Sequence, residues 1–178
     1  MALNSYDVNA GDDILAADHN LLRQDVREAN CDTLTRYLSI APADLVPTDN
    51  SPDWLIWIYK AQSNDDINSR EMVGGIHLPH GAVVTSFKVY WYRDDAAADG
   101  EANLYRCGWT EGSTTMATAD SDATTGHHSV EDTTISDDTI DNENYTYSIR
   151  VQCIPNNSKD DVKFCGAVIT YTIDSPLP

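Results

Sequence analysis

From residue 54 to residue 173 the apolar side chains recur with a period of two, and that period limits what the chain can fold into. Tyr145, Tyr147, Ile149, Val151 and Cys153 alternate with Thr146, Ser148, Arg150 and Gln152. Successive side chains of an extended chain point to opposite faces, so this run reads as a strand with one buried face and one wet face. Phe87, Val89 and Trp91 alternate with Lys88, Tyr90 and Tyr92 in the same way. Cys165, Ala167, Ile169, Tyr171 and Ile173 read as one face of a last strand, with Gly166 marking a bulge. Candidate strands cover 54–60, 71–77, 82–93, 101–109, 113–119, 129–135, 145–154 and 162–173. Turn clusters such as Asp94-Asp95, Asp99-Gly100, Asp137-Asp138 and Asn156-Asn157-Ser158 separate them. Short strands with no interleaved helices predict a mainly β chain, a jelly-roll-like antiparallel β-sandwich.

The first forty residues carry a different pattern. Ala10-Gly11-Asp12-Asp13 is turn chemistry, and Asp18 can cap an α-helix with Leu22, Val26 and Ala29 on one face and Arg23, Asp25, Arg27 and Glu28 on the other. That helix is expected to run toward Tyr37. Pro42, Pro47 and Pro52 then punctuate a semi-rigid stretch. The predicted organisation is an N-terminal helical docking segment (1–41), a Pro-containing linker (42–53) and the sandwich (54–178). An amphipathic helix with nothing local to pack on needs a partner, and Leu21, Leu22, Val26 and Leu34 are the residues expected to dock.

Charge narrows the partners. The 178 residues hold 29 acids against 11 lysines and arginines, a net charge of −18. Such a chain is repelled by phosphate backbones and anionic lipid, which argues against nucleic acid and membrane-surface partners. No run approaches the ~20 apolar residues of a membrane span, and the first residues lack the basic and apolar regions of a secretory signal. The chain is therefore expected to be made in a cytoplasm. The acids gather in turns, at 94–99, 120–122, 137–141 and 160–161, which describes a hydrated outer surface around an ordinary core.

Chemistry-bearing residues are few. His77 and His80 flank a Leu-Pro turn without an identifiable third ligand, and His127 and His128 are strand neighbours that point to opposite faces. Asp94, Asp95, Asp99, Asp120 and Asp122 are the candidate oxygen ligands for a structural calcium ion, although their loops lack the spacing of an EF-hand. No other cofactor is expected. Nucleophile-elbow, phosphate-loop and zinc-protease motifs do not occur, so a non-enzymatic role is expected. Cys31, Cys107, Cys153 and Cys165 lack metal-ligand spacing; Cys153 and Cys165 read as buried thiols, with a bridge between them left open. Tyr90, Tyr92, Tyr105 and Trp109 are the candidate exposed aromatics, suited either to stacking on a sugar or to a subunit interface.

Two segments carry a resemblance. Residues 10–26, Ala-Gly-Asp-Asp-Ile-Leu-Ala-Ala-Asp-His-Asn-Leu-Leu-Arg-Gln-Asp-Val, resemble a short N-terminal segment of tailed-virus virion proteins. The body, from Leu78-Pro-His-Gly-Ala-Val-Val-Thr-Ser-Phe-Lys-Val-Tyr through Ile140-Asp-Asn-Glu-Asn-Tyr-Thr-Tyr-Ser-Ile-Arg-Val to Gly166-Ala-Val-Ile-Thr-Tyr-Thr-Ile, is similar to β-sandwich domains of phage and archaeal virus structural proteins. His80 stands where the acidic turn residue is usual, which removes one cation ligand. The resemblance implies a virion structural protein: a capsid decoration or turret protein, or a tail-fibre or adaptor subunit. It would be located in the virion beside other virion proteins, as a symmetric homo-oligomer with a trimer favoured. The alternative is a carbohydrate-binding module that attaches to a host-surface glycan.

Two outcomes are expected. Replacing Leu22 and Val26 with Asp leaves the sandwich folded and abolishes assembly, read by native mass spectrometry. An aspartate-rich, lysine-poor surface also suits a halophilic setting, so the melting temperature should rise from low to molar salt as screening shortens the ~10 Å Debye length found at 0.1 M. A flat response would contradict that.

Overall fold

The computed structural model describes residues 34–48, 54–110 and 112–173, of which Thr35–Ile173 form one compact unit. Eleven strands appear among them: β1 (Leu34–Ile40), β2 (Val46–Pro47), β3 (Trp54–Trp57), β4 (Lys60–Ser63), β5 (Arg70–Ile76), β6 (Val83–Arg93), β7 (Asp99–Gly108), β8 (Gly112–Thr118), β9 (Gly126–Asp132), β10 (Tyr145–Ile154) and β11 (Val162–Ile173). They form two sheets. One runs β3-β4-β11-β6-β9 with β1 also on β11, and the other runs β2-β5-β10-β7-β8. In pairs, β4 meets β11, β5 meets β10, β6 meets β9 and β7 meets β8, all antiparallel. That is one long antiparallel ribbon rolled into a sandwich, the jelly-roll connection expected from the alternation.

The core lies between the sheets. β10 presents Tyr147, Ile149, Val151 and Cys153 inward, and β6 presents Phe87, Val89, Trp91 and Arg93. The Trp91 ring meets Phe164 edge-on, with centroids 5.8 Å apart at 72°, a geometry worth about 0.5–1.5 kcal/mol beyond burial. Its indole N–H donates to the Ala119 carbonyl at 3.2 Å, so the one polar atom of the ring is satisfied. Across the sandwich the ring lies on the backbone of β7: a Cβ added at Gly100 would stand 2.6 Å from Trp91 Cζ3. Only a residue without a side chain lets the two sheets close there.

Several expectations change. The predicted N-terminal α-helix, with Leu21, Leu22 and Val26, lies outside the described residues. The helix does not reach Tyr37, because 34–40 form β1, which pairs with β11. Residues 42–48 of the expected linker are built into the fold: Pro42–Asp44 form a 3-10 turn, Leu45 is buried, and Val46-Pro47 pair with β5. The expected strand 54–60 is a hairpin, with Trp54 opposite Ser63 and Trp57 opposite Lys60. Its connection, Ile58-Tyr59, carries none of the Gly, Asn or Pro chemistry that marks a turn in sequence. The pairing of Ala61 with Phe164 of β11 holds the return strand against the sheet.

Replacing Gly100 with Ala pushes a methyl group into the Trp91 ring. Stability should fall by about 1–3 kcal/mol, as overpacking of a filled core does, seen as a lower chemical-denaturation midpoint with the fold retained.

Candidate functional site

The open face of the six-stranded sheet carries a groove built by three neighbouring strands and one hairpin tip. Outward residues of β6 are Lys88, Tyr90 and Tyr92, and their partners on β9 are Glu131, Ser129 and His127. On the other side of β6, Lys163 of β11 stands opposite Tyr92. β11 then bulges: its register shifts between Phe164 and Gly166, and Gly166 adopts φ 134°. A side chain at Gly166 would be strained at that φ, and its Cβ would sit 3.2 Å from the Ile40 carbonyl of β1. The bulge keeps Phe164 in the core and places Cys165 in the groove, which corrects the expectation that Cys165 lies on the core face with Ala167.

Two hollows make up the groove. One of about 330 Å3 is walled by Tyr59, Lys60, Tyr92, His127, Lys163 and Cys165. The other, of about 480 Å3, is walled by Tyr90, Trp91, His127, His128, Ser129 and Cys165. They share His127 and Cys165. The Tyr92 ring packs against His127, centroids 4.9 Å apart, and carries Lys163 Nζ 4.8 Å from its centre. Lys60 Nζ sits 4.5 Å from the centre of the Trp57 ring and 5.7 Å from that of Tyr59. Lys163 also pairs with Asp160 at 3.1 Å. Burial raises the Cys165 thiol above its ordinary value, against the pull of Lys163 and Lys60, so it stays neutral in the groove. The deeper Cys153 is pushed up to about 12 by complete burial. Both thiols are free, so no bridge joins them.

The four candidate aromatics do not converge. Tyr90 and Tyr92 line the groove. Tyr105 lies on the other sheet, where Arg150 Nη1 donates to its hydroxyl at 3.5 Å. Trp109, 71% exposed, lies just past β7 in the connection to β8. Of the expected docking residues only Leu34 is described, at the start of β1 and 43% exposed.

Four of the five aspartates proposed as calcium ligands accept hydrogen bonds from the chain itself. Asp95 accepts from Ala97 N at 2.8 Å and Asn156 Nδ2 at 3.0 Å, and Asp99 Oδ1 from Gly100 N and Ser121 Oγ at 2.8 and 3.1 Å. Asp120 accepts from Ala102 N at 3.1 Å, and Asp122 from Thr124 N at 2.8 Å. Asp94 is exposed, and its N–H donates to the Asp161 carbonyl at 2.8 Å. Between these loops lies the buried Arg93 guanidinium. It donates to the carbonyls of Ala96 (2.8 Å), Ala98 and Asp122 and to Ser121 Oγ (3.3 Å). The carbonyl oxygens that a cation would collect there are thus held by a cation of the chain itself. Among the described residues, no three His, Cys, Asp or Glu side chains are grouped to hold a metal.

Tyr59, Lys60, His127, Lys163 and Cys165 were not singled out as site residues by the sequence. Reading 54–60 as a single strand hid Tyr59 and Lys60. His127 alone was foreshadowed, because its alternation with His128 already placed the two on opposite faces.

No family model matches the chain, and no curated protein is similar to it. Among solved structures, it is similar to the CBM36-1 domain of a multidomain xylanase from the hindgut metagenome of Trinervitermes trinervoides, at 7% identity over 80% of this chain and 100% of that one, with a TM-score of 0.45. The mannan-recognising carbohydrate-binding module TmCBM27 gives 8% identity, 78% and 98% coverage and a TM-score of 0.42. A chain of infectious bursal disease virus Gx strain gives 11%, 82% and 33%, with a TM-score of 0.40. At such values the fold assignment rests on the strand order described above, and no function follows from these likenesses.

Asp95 offers a pH test of the loop bonds. Donation from the Ala97 N–H and then Asn156 holds its carboxyl below the ordinary 3.8. A depressed carboxylate contributes stability that is present above its unfolded value and lost as pH falls through the folded one. Asp95→Asn should therefore lower the denaturation midpoint at pH 6, and the gap to wild type should close as pH drops below about 3.8.

Proposed function

We propose that the protein is a non-catalytic carbohydrate-binding domain and that the groove on its six-stranded sheet receives the sugar. The observation that carries this reading is the grouping of Tyr59, Tyr90 and Tyr92 with Lys60, Lys163, His127 and Ser129 around two joined hollows on an open sheet face. A pyranose has an apolar C–H face that packs on aromatic rings and an equatorial rim of hydroxyls that needs fixed donors and acceptors. A concave tyrosine wall with lysine, imidazole and serine at its margin supplies both. The β-sheet holds Tyr90, Tyr92, His127, Ser129 and Lys163 at fixed spacing before a ligand arrives, which limits the ordering cost of binding.

A virion structural role is the second reading, and the apolar surface around the hairpin favours it. Ile58 is 89% and Tyr59 67% exposed at the β3–β4 tip, and Tyr37 is 69% exposed on β1. Apolar side chains left open on a strongly acidic molecule suit packing against another subunit. A repeated array of such domains turns weak sugar contacts into firm attachment, so the two readings are compatible.

Binding of neutral and charged oligosaccharides, measured on a glycan array and by calorimetry, tests the first reading. Tyr90→Ala and Tyr59→Ala should each weaken binding by about tenfold, the loss of roughly 1.4 kcal/mol of stacking. Trp109→Ala, in the β7–β8 connection, should leave it unchanged. Full loss with Trp109→Ala and none with Tyr90→Ala would move the site away from the groove.

A further inference from the structure

The chain's few cations are unevenly spent, and two of its four lysines stand together in the groove. Arg70 pairs with Asp65 at 3.0 Å, Arg106 with Asp137 at 2.8 Å, and Arg150 with Glu71. Arg93 is buried among carbonyl oxygens. Of the four lysines in the sequence, Lys88 pairs with Glu131 at 3.0 Å and Lys159 donates to Asn64 Oδ1 at 3.5 Å. The remaining two, Lys60 and Lys163, line the same hollow. Lys163 shares its charge with Asp160, whose side chain is 57% exposed. Lys60 makes no ion pair among the described residues; its ammonium rests over the Trp57 and Tyr59 rings.

A molecule with 29 acidic and 11 basic residues has no shortage of carboxylates to neutralise a surface lysine. A neutral sugar does not need an ammonium kept unpaired beside its binding wall. Aromatic rings position such a cation without cancelling its charge, since they offer a quadrupole and no proton acceptor of comparable strength. An anionic oxygen reaching Lys60 would gain a charge-assisted hydrogen bond, about twice as strong as a neutral one. Asp160 already shares this site, paired with Lys163 and near enough for the Lys60 charge to act on it, so a bound anion competes with that carboxylate.

We propose that the groove selects an anionic sugar, a ring bearing a carboxylate or a sulfate ester, with Lys60 binding the charge, Lys163 as a second donor and the ring against the tyrosine walls. The inference rests on the carbohydrate-binding reading and adds the class of sugar to it. Lys60 is then the specificity-determining residue, and the tyrosines supply affinity common to charged and neutral rings.

Paired probes test it: uronate, sialylated and sulfated oligosaccharides, each beside its methyl-esterified or desulfated counterpart, titrated against the full chain. The charged member of at least one pair should bind about tenfold more tightly than its neutral twin. Lys60→Gln should bring that charged member down to the neutral level and leave the neutral affinity in place, which also shows that the variant is folded. Lys88→Gln, on the same sheet face but outside the groove, should change neither. Equal binding of charged and neutral members would overturn the proposal while the carbohydrate reading stands, and binding of neither would overturn both. A charge preference that survives Lys60→Gln, or that falls equally with Lys88→Gln, would show the selectivity to be made elsewhere and overturn the assignment to Lys60.

Discussion

The ladder between β6 and β11 is the contact on which the rest of this molecule depends. It joins the last described strand to one some eighty residues earlier, with Val162 opposite Arg93 and Thr172 opposite Val83. That pairing closes the rolled ribbon. It also fixes both sides of the six-stranded sheet at once. Inward it brings Trp91 against Phe164 and onto Gly100 of the facing sheet. Outward it stands Lys163 beside Tyr92, and through one bulge it puts Cys165 where the groove needs a small wall. Core and groove are opposite faces of the same ladder, so neither can be rearranged alone.

Acidity is managed locally. Asp161 Oδ2 accepts from the backbone N–H groups of Asn156, Asn157 and Ser158 at 3.1, 2.9 and 2.8 Å. Asp65, Asp95, Asp122 and Asp160 are held below the ordinary aspartate value by hydrogen bonds from neighbouring groups. Such residues staple turns, as short carboxylates do when they bond their own backbone. The arginines answer part of the remaining charge. Arg93 does something different: it draws together the loops at 94–99 and 120–122 by their carbonyl oxygens. The acidic turns are therefore architecture, and the groove brings Lys60 and Lys163 to one hollow.

How far the sequence reveals this depends on whether a feature is local. Strand periodicity is local, and β5, β6, β7, β8, β10 and β11 fall close to the expected ranges. The hairpin at Ile58-Tyr59 is not marked by its own residues. Its turn is imposed by pairing with β11, so β3 and β4 merged into one expected strand. Bulges are equally silent. The shift between Phe164 and Gly166 moves Cys165 from the expected core face to the groove, and a second shift between Thr170 and Tyr171 leaves both Ser86 and Phe87 buried. A one-residue slip reverses which face a side chain occupies. Tyr90 and Tyr92 were legible because β6 alternates cleanly around them, whereas Lys60 and Lys163 come together from residues about a hundred apart and only through register.

A sugar bound in the groove would lie against the tyrosines of the six-stranded sheet. Solving the structure of the protein with a bound acidic oligosaccharide tests this placement most directly. Electron density for a sugar ring is expected between Tyr59 and Tyr90, with its carboxylate or sulfate within hydrogen-bonding distance of Lys60 Nζ. A ring bound instead beside Tyr105 or Trp109, or along a sheet edge with the groove empty, would contradict it.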